Sequence, residues 1–139
     1  LIRLDMSHRL ASRLNPDLCL PAGGQGAVGI ECRSNDEAIL SLLSPLHHQD
    51  TASCVIAERA LNRRLQGGCQ VPIACFAELS SDRQLIGVRG LVGSVDGQKI
   101  LQSQLSGPVA NAQQLGEALA DQLLDMGAGE ILSEVLGNQ

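Results

Sequence analysis

The 139 residues carry 15 acidic against 10 basic side chains, a formal charge of −5, and a single aromatic ring, Phe76. An acidic chain without basic clusters or stacking rings is not built to bind nucleic acid, and no apolar run approaches the roughly 20 residues that would cross a bilayer. With 44% hydrophobic residues the length suffices for one medium domain with a core of its own plus attached pieces.

Residues 1–19 mix apolar Leu4, Met6, Leu10 and Leu14 with Arg3, Arg9 and Arg13 until Asn15-Pro16-Asp17 breaks the pattern. The run Gly23-Gly24-Gln25-Gly26 lacks the Lys-Ser/Thr ending and the helix start of a phosphate loop, and residues 27–32 run apolar like a buried strand. Ser34 and Glu37 have capping-box spacing for a short helix through about Leu43 that Pro45 closes. His47 and His48 lie in a connector and give no metal-ligand pattern. Cys54, Ala57, Leu61 and Leu65 then recur on one helical face, with Asp50 or Thr51 as N-cap and Gly67 and Gly68 as the left-handed stop. Pro72 pushes the chain into an extended path.

Three strand-like stretches follow, Ile73 to Leu79, Leu85 to Val92 and Lys99 to Leu105, with turns at Ser81-Asp82 and Asp96-Gly97, the second a strong hairpin signal. Ala112, Leu115, Leu119, Leu123 and Met126 repeat at helical spacing, Gly127 and Gly129 interrupt, and Ile131, Leu132, Val135 and Leu136 make a last short helix. Short turns make the sheet antiparallel, and helices over one face bury both apolar sets. The fold class is therefore α+β.

Of the five cysteines, Cys19, Cys32, Cys54 and Cys75 lie in apolar or alternating stretches and read as inert small hydrophobes. Alternation from Ile73 puts residues 73, 75, 77 and 79 on one face, which turns Cys75 inward. Cys69 differs, because it stands between a helix stop and a strand start with two glycines before it. There is no CxxC pair and no zinc-finger spacing to a histidine, so no metal is expected. An odd, scattered cysteine set with no visible signal peptide points to a reduced thiol in the cytoplasm.

The run Leu61-Asn62-Arg63-Arg64-Leu65-Gln66-Gly67-Gly68-Cys69-Gln70-Val71-Pro72-Ile73 resembles the cofactor-attachment motif of the porphobilinogen deaminases, also called hydroxymethylbilane synthases. A second block, Leu20-Pro21-Ala22-Gly23-Gly24-Gln25-Gly26-Ala27-Val28-Gly29-Ile30-Glu31-Cys32-Arg33, resembles that family's hinge, and the two stand in the expected order. Weaker likeness runs through Leu1-Ile2-Arg3-Leu4, His47-His48, Ala57-Glu58-Arg59-Ala60 and the C-terminal helices. Departures are local: Gly23 replaces an apolar residue, Ala74 a glycine, and Cys75 a small hydroxyl residue.

The resemblance implies a transferase of porphyrin, tetrapyrrole and heme biosynthesis that condenses four porphobilinogen molecules head to tail into hydroxymethylbilane. Its dipyrromethane cofactor would be a primer held covalently by Cys69. A thiolate is a good nucleophile toward the electrophilic carbon left when porphobilinogen loses ammonia, and the resulting thioether is a stable tether. Each pyrrole carries two carboxylates, for which arginine forks are suited. Arg3 matches a family arginine that contacts them, and Gln25 and Gly26 match the hinge whose amides approach the primer. For Arg9, Arg13, Arg33, Arg59, Arg63, Arg64 and Arg89 a solvated surface role is the better expectation. The same holds for Asp5, Asp17, Glu31, Asp36, Glu58 and Glu78, as solvated charges or local ion pairs.

On this resemblance residues 49–139 form the cofactor-attachment domain, a three-stranded antiparallel sheet covered by helices. Residues 1–48 are residual segments of domains 2 and 1 with the inter-domain hinge, the rest of those two α/β domains, which resemble periplasmic binding proteins, being missing. The family's catalytic aspartate would lie in the missing part, so the expectation is an inactive C-terminal fragment without a primer and with no catalytic residue of its own. The complete enzyme is expected to be a monomer and the fragment a dimer, with porphobilinogen as substrate and neither nucleic acid nor membrane as partner. A stand-alone binding or regulatory module of the same fold is the alternative, which the intact Gly-Gly-Cys loop disfavours.

Overall fold

A computed structural model describes residues 1–68 and 71–137, the last two of these as backbone only. Two 3-10 turns, Ile2–Leu4 and Ser7–Arg9, open the chain, and irregular backbone continues to α1, Glu37–Leu43. The N-cap of α1 is Asp36, whose carboxylate accepts the Ile39 amide at 3.2 Å. Ser34, two residues earlier, takes no part in the cap, because the shorter Asp36 loop already presents an oxygen to the first turn. Pro45 sits at the start of a 3-10 turn, Ser44–Leu46, that follows directly.

Helix α2 spans Gln49–Arg64, and its N-cap is His48 instead of Asp50 or Thr51. The His48 ring Nδ1 accepts the Thr51 amide at 3.3 Å and lies 2.9 Å from the Thr51 hydroxyl. The sheet runs β1 (Ile73–Leu79), β2 (Leu85–Gly93) and β3 (Ile100–Pro108) in spatial order β1-β2-β3, both pairs antiparallel. Helices α3, Ala112–Asp125, and α4, Ala128–Gly137, complete the chain. The three expected strands and the expected helices after them are all present.

Alternation decides which sheet face is covered: Cys75, Ala77, Ile86, Val88 and Val92 are buried beneath Ala57, Leu61, Leu119, Ala120 and Leu123 of α2 and α3. The two helices cross closely at Gly116, where a Cβ would overlap the Ala57 carbonyl and lie 3.0 Å from the Ala60 methyl. Arg64 Nε bonds Asp121 at 2.7 Å across the same pair. Among the described residues, every buried member of the hydrophobic core falls between Ala57 and Leu132.

The strand expected at residues 27–32 does not form. The segment is irregular, and Val28 is 92% exposed and Ile30 56%. A strand needs a partner, and β1 offers no open edge at its centre: the Cys75 amide is given to the Pro21 carbonyl at 3.0 Å and the Ala77 amide to Glu58 at 2.7 Å.

Candidate functional site

The end of α2 sets the approach to Cys69, which itself lies outside the described residues together with Gln70. The left-handed position there is Gln66, φ 55°, not either glycine. Gln66 N donates to the Arg63 carbonyl at 3.0 Å and Gly67 N to the Asn62 carbonyl at 2.8 Å, the paired closure of a helix terminus. Gly67 has a different reason to be glycine, since a Cβ would overlap the Asn62 side chain and stand 2.9 Å from Ile73 Cδ1. Gly68 has open space around it, and its carbonyl accepts the Val71 amide at 3.2 Å.

The Gly-rich run folds onto the other side of β1. Pro21 carries the backbone to the strand edge, and Gly24 and Gly26, φ 74° and 85°, let it double back through two turns. Gln25 N donates to the Ala22 carbonyl at 3.0 Å and Ala27 N to that of Gly24 at 3.1 Å, while the Gln25 side-chain carbonyl accepts the Ala22 amide at 3.2 Å. The Gly26 amide has no protein acceptor among the described residues. This turn, with α2 and β1, encloses a cleft of about 410 Å³ lined by Gln25, Gly26, Cys54, Glu58 and Phe76 among others. Gln25 and Gly26 are thus brought together in one cleft. Arg3 is exposed on the first 3-10 turn and is not among the cleft's lining residues.

Glu58 is the residue that sequence reasoning misplaced. It is only 7% exposed, and its carboxylate accepts the Gly24 amide at 2.6 Å on one oxygen and the Ala77 amide at 2.7 Å on the other. A buried carboxylate is tolerated where backbone N–H groups replace its water. The signal was available in the helical spacing, because Cys54, Glu58, Leu61 and Leu65 fall at i, i+4, i+7 and i+11, on the buried stripe of α2.

The cysteines divide by environment. Cys75 is fully buried, its Sγ 3.8 Å from the Glu58 carbonyl, and burial followed by the nearby Glu58 charge pushes its thiol up to about 12. Cys54 is half-buried and is pushed up by burial, then by Glu58, Asp50 and Glu78. Cys19 and Cys32 are exposed instead of packed, because the segment that carries them adds nothing to the core.

Arg89 also departs from a solvated role. Its side chain is 19% exposed, lies 5.4 Å from the Phe76 ring centre, and pairs with Asp17 at 2.5 Å and Glu78 at 3.4 Å. Asp17 is thereby a second tie between the leading segment and the sheet, on the face away from the helices. Among the described residues no three His, Cys, Asp or Glu side chains converge as a metal site, and no helix is long and apolar enough to cross a membrane.

Two family models match the chain. Residues 52–125 match "Porphobilinogen deaminase, C-terminal domain", and residues 1–41 match "Porphobilinogen deaminase, dipyromethane cofactor binding domain". The first contains the sheet, α3, nearly all of α2 and the Gly-Gly-Cys loop; the second contains the Gly-rich turn that docks on Glu58. The chain belongs to the porphobilinogen deaminase family, the dipyrromethane-dependent transferases of tetrapyrrole and heme biosynthesis that make hydroxymethylbilane from porphobilinogen.

Proposed function

We propose that this chain supplies the primer-holding part of a hydroxymethylbilane synthase, with Cys69 as the attachment point and Arg3, Gln25 and Gly26 as groups that meet the primer. Residues 49–139 are the attachment domain, and residues 1–48 are segments of two further domains with the hinge between them. The observation that carries this reading is the pair of family matches, one holding the Gly-Gly-Cys loop and one the Gly-rich turn, whose segments meet across β1.

The residues in hand fit a carboxylate-rich group. Gly26 lines the cleft, its amide has no protein acceptor among the described residues, and there is open space where its Cβ would stand; a free backbone N–H at such a place suits a carboxylate. Arg3 offers an exposed guanidinium whose fork matches the same chemistry. Burial and the raised thiols of Cys75 and Cys54 make those two poor nucleophiles near neutral pH. When bound, dipyrromethane supplies the free pyrrole carbon on which the chain is extended. The protein's part is to tether, orient and neutralise.

Peptide mapping by mass spectrometry of the complete enzyme tests the attachment. The primer mass is expected on the peptide with Cys69, and Cys69→Ser is expected to abolish or severely impair attachment while Cys75→Ser leaves it intact. A primer found on Cys75, or on any other cysteine, would overturn the assignment. The 139-residue chain alone is expected to show no turnover of porphobilinogen and no adduct on Cys69, since the remaining carboxylate-binding and catalytic groups lie elsewhere in the enzyme. Steady turnover by purified chain free of host enzyme would contradict this. The complete enzyme would act as a cytoplasmic monomer without nucleic-acid or membrane partners.

A further inference from the structure

The Glu58 carboxylate touches three elements at once. It belongs to α2, the helix that ends at Arg64, five residues before Cys69, and it accepts from Ala77 in β1, the strand that begins four residues after Cys69. Its second oxygen takes the Gly24 amide of the Gly-rich turn at 2.6 Å. Helix α2 and strand β1 are thus fastened through one buried side chain to Gly24, the residue next to Gln25 in the Gly-rich turn. The neighbouring bonds do not duplicate it: Pro21 holds Cys75 at 3.0 Å through backbone alone, and Asp17 holds Arg89 from an exposed position.

We infer that Glu58 is a positioning residue, a latch that sets the Gly-rich turn against α2 and β1, so that the amides meeting the primer keep one geometry relative to the helix and strand on either side of the attachment position in sequence. This rests on the reading that Cys69 carries the primer and that Gln25 and Gly26 approach it. The chemistry of the side chain makes the inference specific. A carboxylate has two acceptor oxygens and satisfies both amides, whereas a carboxamide has one acceptor and would turn an N–H toward the other amide. Glu58→Gln keeps size and shape but can retain only one bond. The retained bond should be that to Ala77, because the sheet fixes that amide and only turn contacts fix Gly24.

Amide exchange followed by NMR on the 139-residue chain reads the latch directly. In Glu58→Gln the Gly24 amide should exchange about tenfold faster or more, while the amides of Val88 and Leu123 stay within about twofold of the parent. Glu58→Ala should release both Gly24 and Ala77, and if that variant fails to fold, Glu58→Gln still decides. In the complete enzyme Glu58→Gln should keep the primer on Cys69 and the KM for porphobilinogen within about threefold, yet lower kcat about tenfold, since misplacement acts on the reacting geometry. Unchanged Gly24 exchange in a folded Glu58→Gln chain would overturn the latch. Released Gly24 with unchanged kcat would overturn the positioning role. Absence of primer from Cys69 in the unsubstituted enzyme would bring down the underlying reading instead, whatever the exchange data show, and would leave Glu58 a purely structural residue.

Discussion

At the scale of single residues, the environment of a thiol separates candidates that composition treats alike. Cys75 stays protonated in the fold up to about 12, against an ordinary 9.0, because burial and the Glu58 charge oppose the thiolate. A folded-state value raised above the unfolded one leaves stability complete below 9.0 and removes it as the pH climbs toward about 12. The slope this adds is at most roughly 1.4 kcal/mol per pH unit. Cys75→Ala is therefore expected to lose stability at neutral pH through its small cavity, yet to lose less than the parent on moving above pH 9.0. Denaturant titrations at the two pH values check this, and equal alkaline slopes would assign the effect elsewhere.

A second residue-scale case lies in the hairpin turns, which share one device. Ser80 and Ser94 each donate a hydroxyl hydrogen bond to the aspartate two residues on, Asp82 and Asp96, at 2.5 Å, and each aspartate also accepts the amide two residues beyond it at 3.1 Å. These bonds hold both carboxyls below the ordinary carboxylate range, the serine first and the backbone amide second. In Ser94→Ala the Asp96 carboxyl should titrate closer to its ordinary value. An NMR titration of the side chain reads it, and an unmoved Asp96 would show that the hydroxyl is not the cause.

At the scale of elements, what was legible was what repeats. The antiparallel sheet and the helices after it follow from alternation, short turns and helical spacing, and the Asp96-Gly97 signal gave its hairpin correctly. Caps were less legible because several residues compete for one position: Asp36 displaces Ser34, His48 displaces Asp50 and Thr51, and Gln66 takes the left-handed site offered to Gly67. The apolar run at 27–32 was misread because a strand is a property of pairs, and pairing does not appear in a single segment. The Gln25 and Gly26 side of the site came from family likeness, whereas Glu58 was visible only by laying a charged residue on the buried stripe of α2.

The crossing of α2 and α3 allows an element-scale prediction. A methyl at Gly116 meets the Ala57 carbonyl, which is backbone and cannot rotate away. Gly116→Ala gains about 1 kcal/mol of helix propensity, but overpacking against a fixed atom costs about 1–3 kcal/mol and separates the helices that roof the sheet. The expected result is net destabilisation in a denaturant melt. A stabilised variant would mean that the crossing is looser than the structure has it.

At the scale of the whole molecule, the two matched segments differ in kind. Among the described residues the buried core lies between Ala57 and Leu132, whereas Leu1, Ile2, Leu4, Leu14, Leu18, Val28 and Ile30 are exposed large hydrophobics of the leading segment. Ordering that segment costs roughly 1–2 kcal/mol of backbone entropy per residue, and the Pro21, Gly24 and Asp17 ties offset only a small part. Exposed apolar area of this extent favours association. In the isolated chain residues 1–48 should therefore draw in a second copy, and the chain should sediment as a dimer. Residues 49–139, which keep every core residue among those described, should fold as a cooperative monomer with helix and sheet content intact. Removing the leading segment also exposes the Cys75 amide at the β1 edge and leaves one Glu58 oxygen to water, so a modest loss of stability should accompany the return to monomer. Sedimentation and thermal melts on the two lengths give the comparison. A monomeric 139-residue chain whose first 48 residues resist proteolysis would refute the association, and an unfolded 49–139 would show that the leading segment is part of the folding unit.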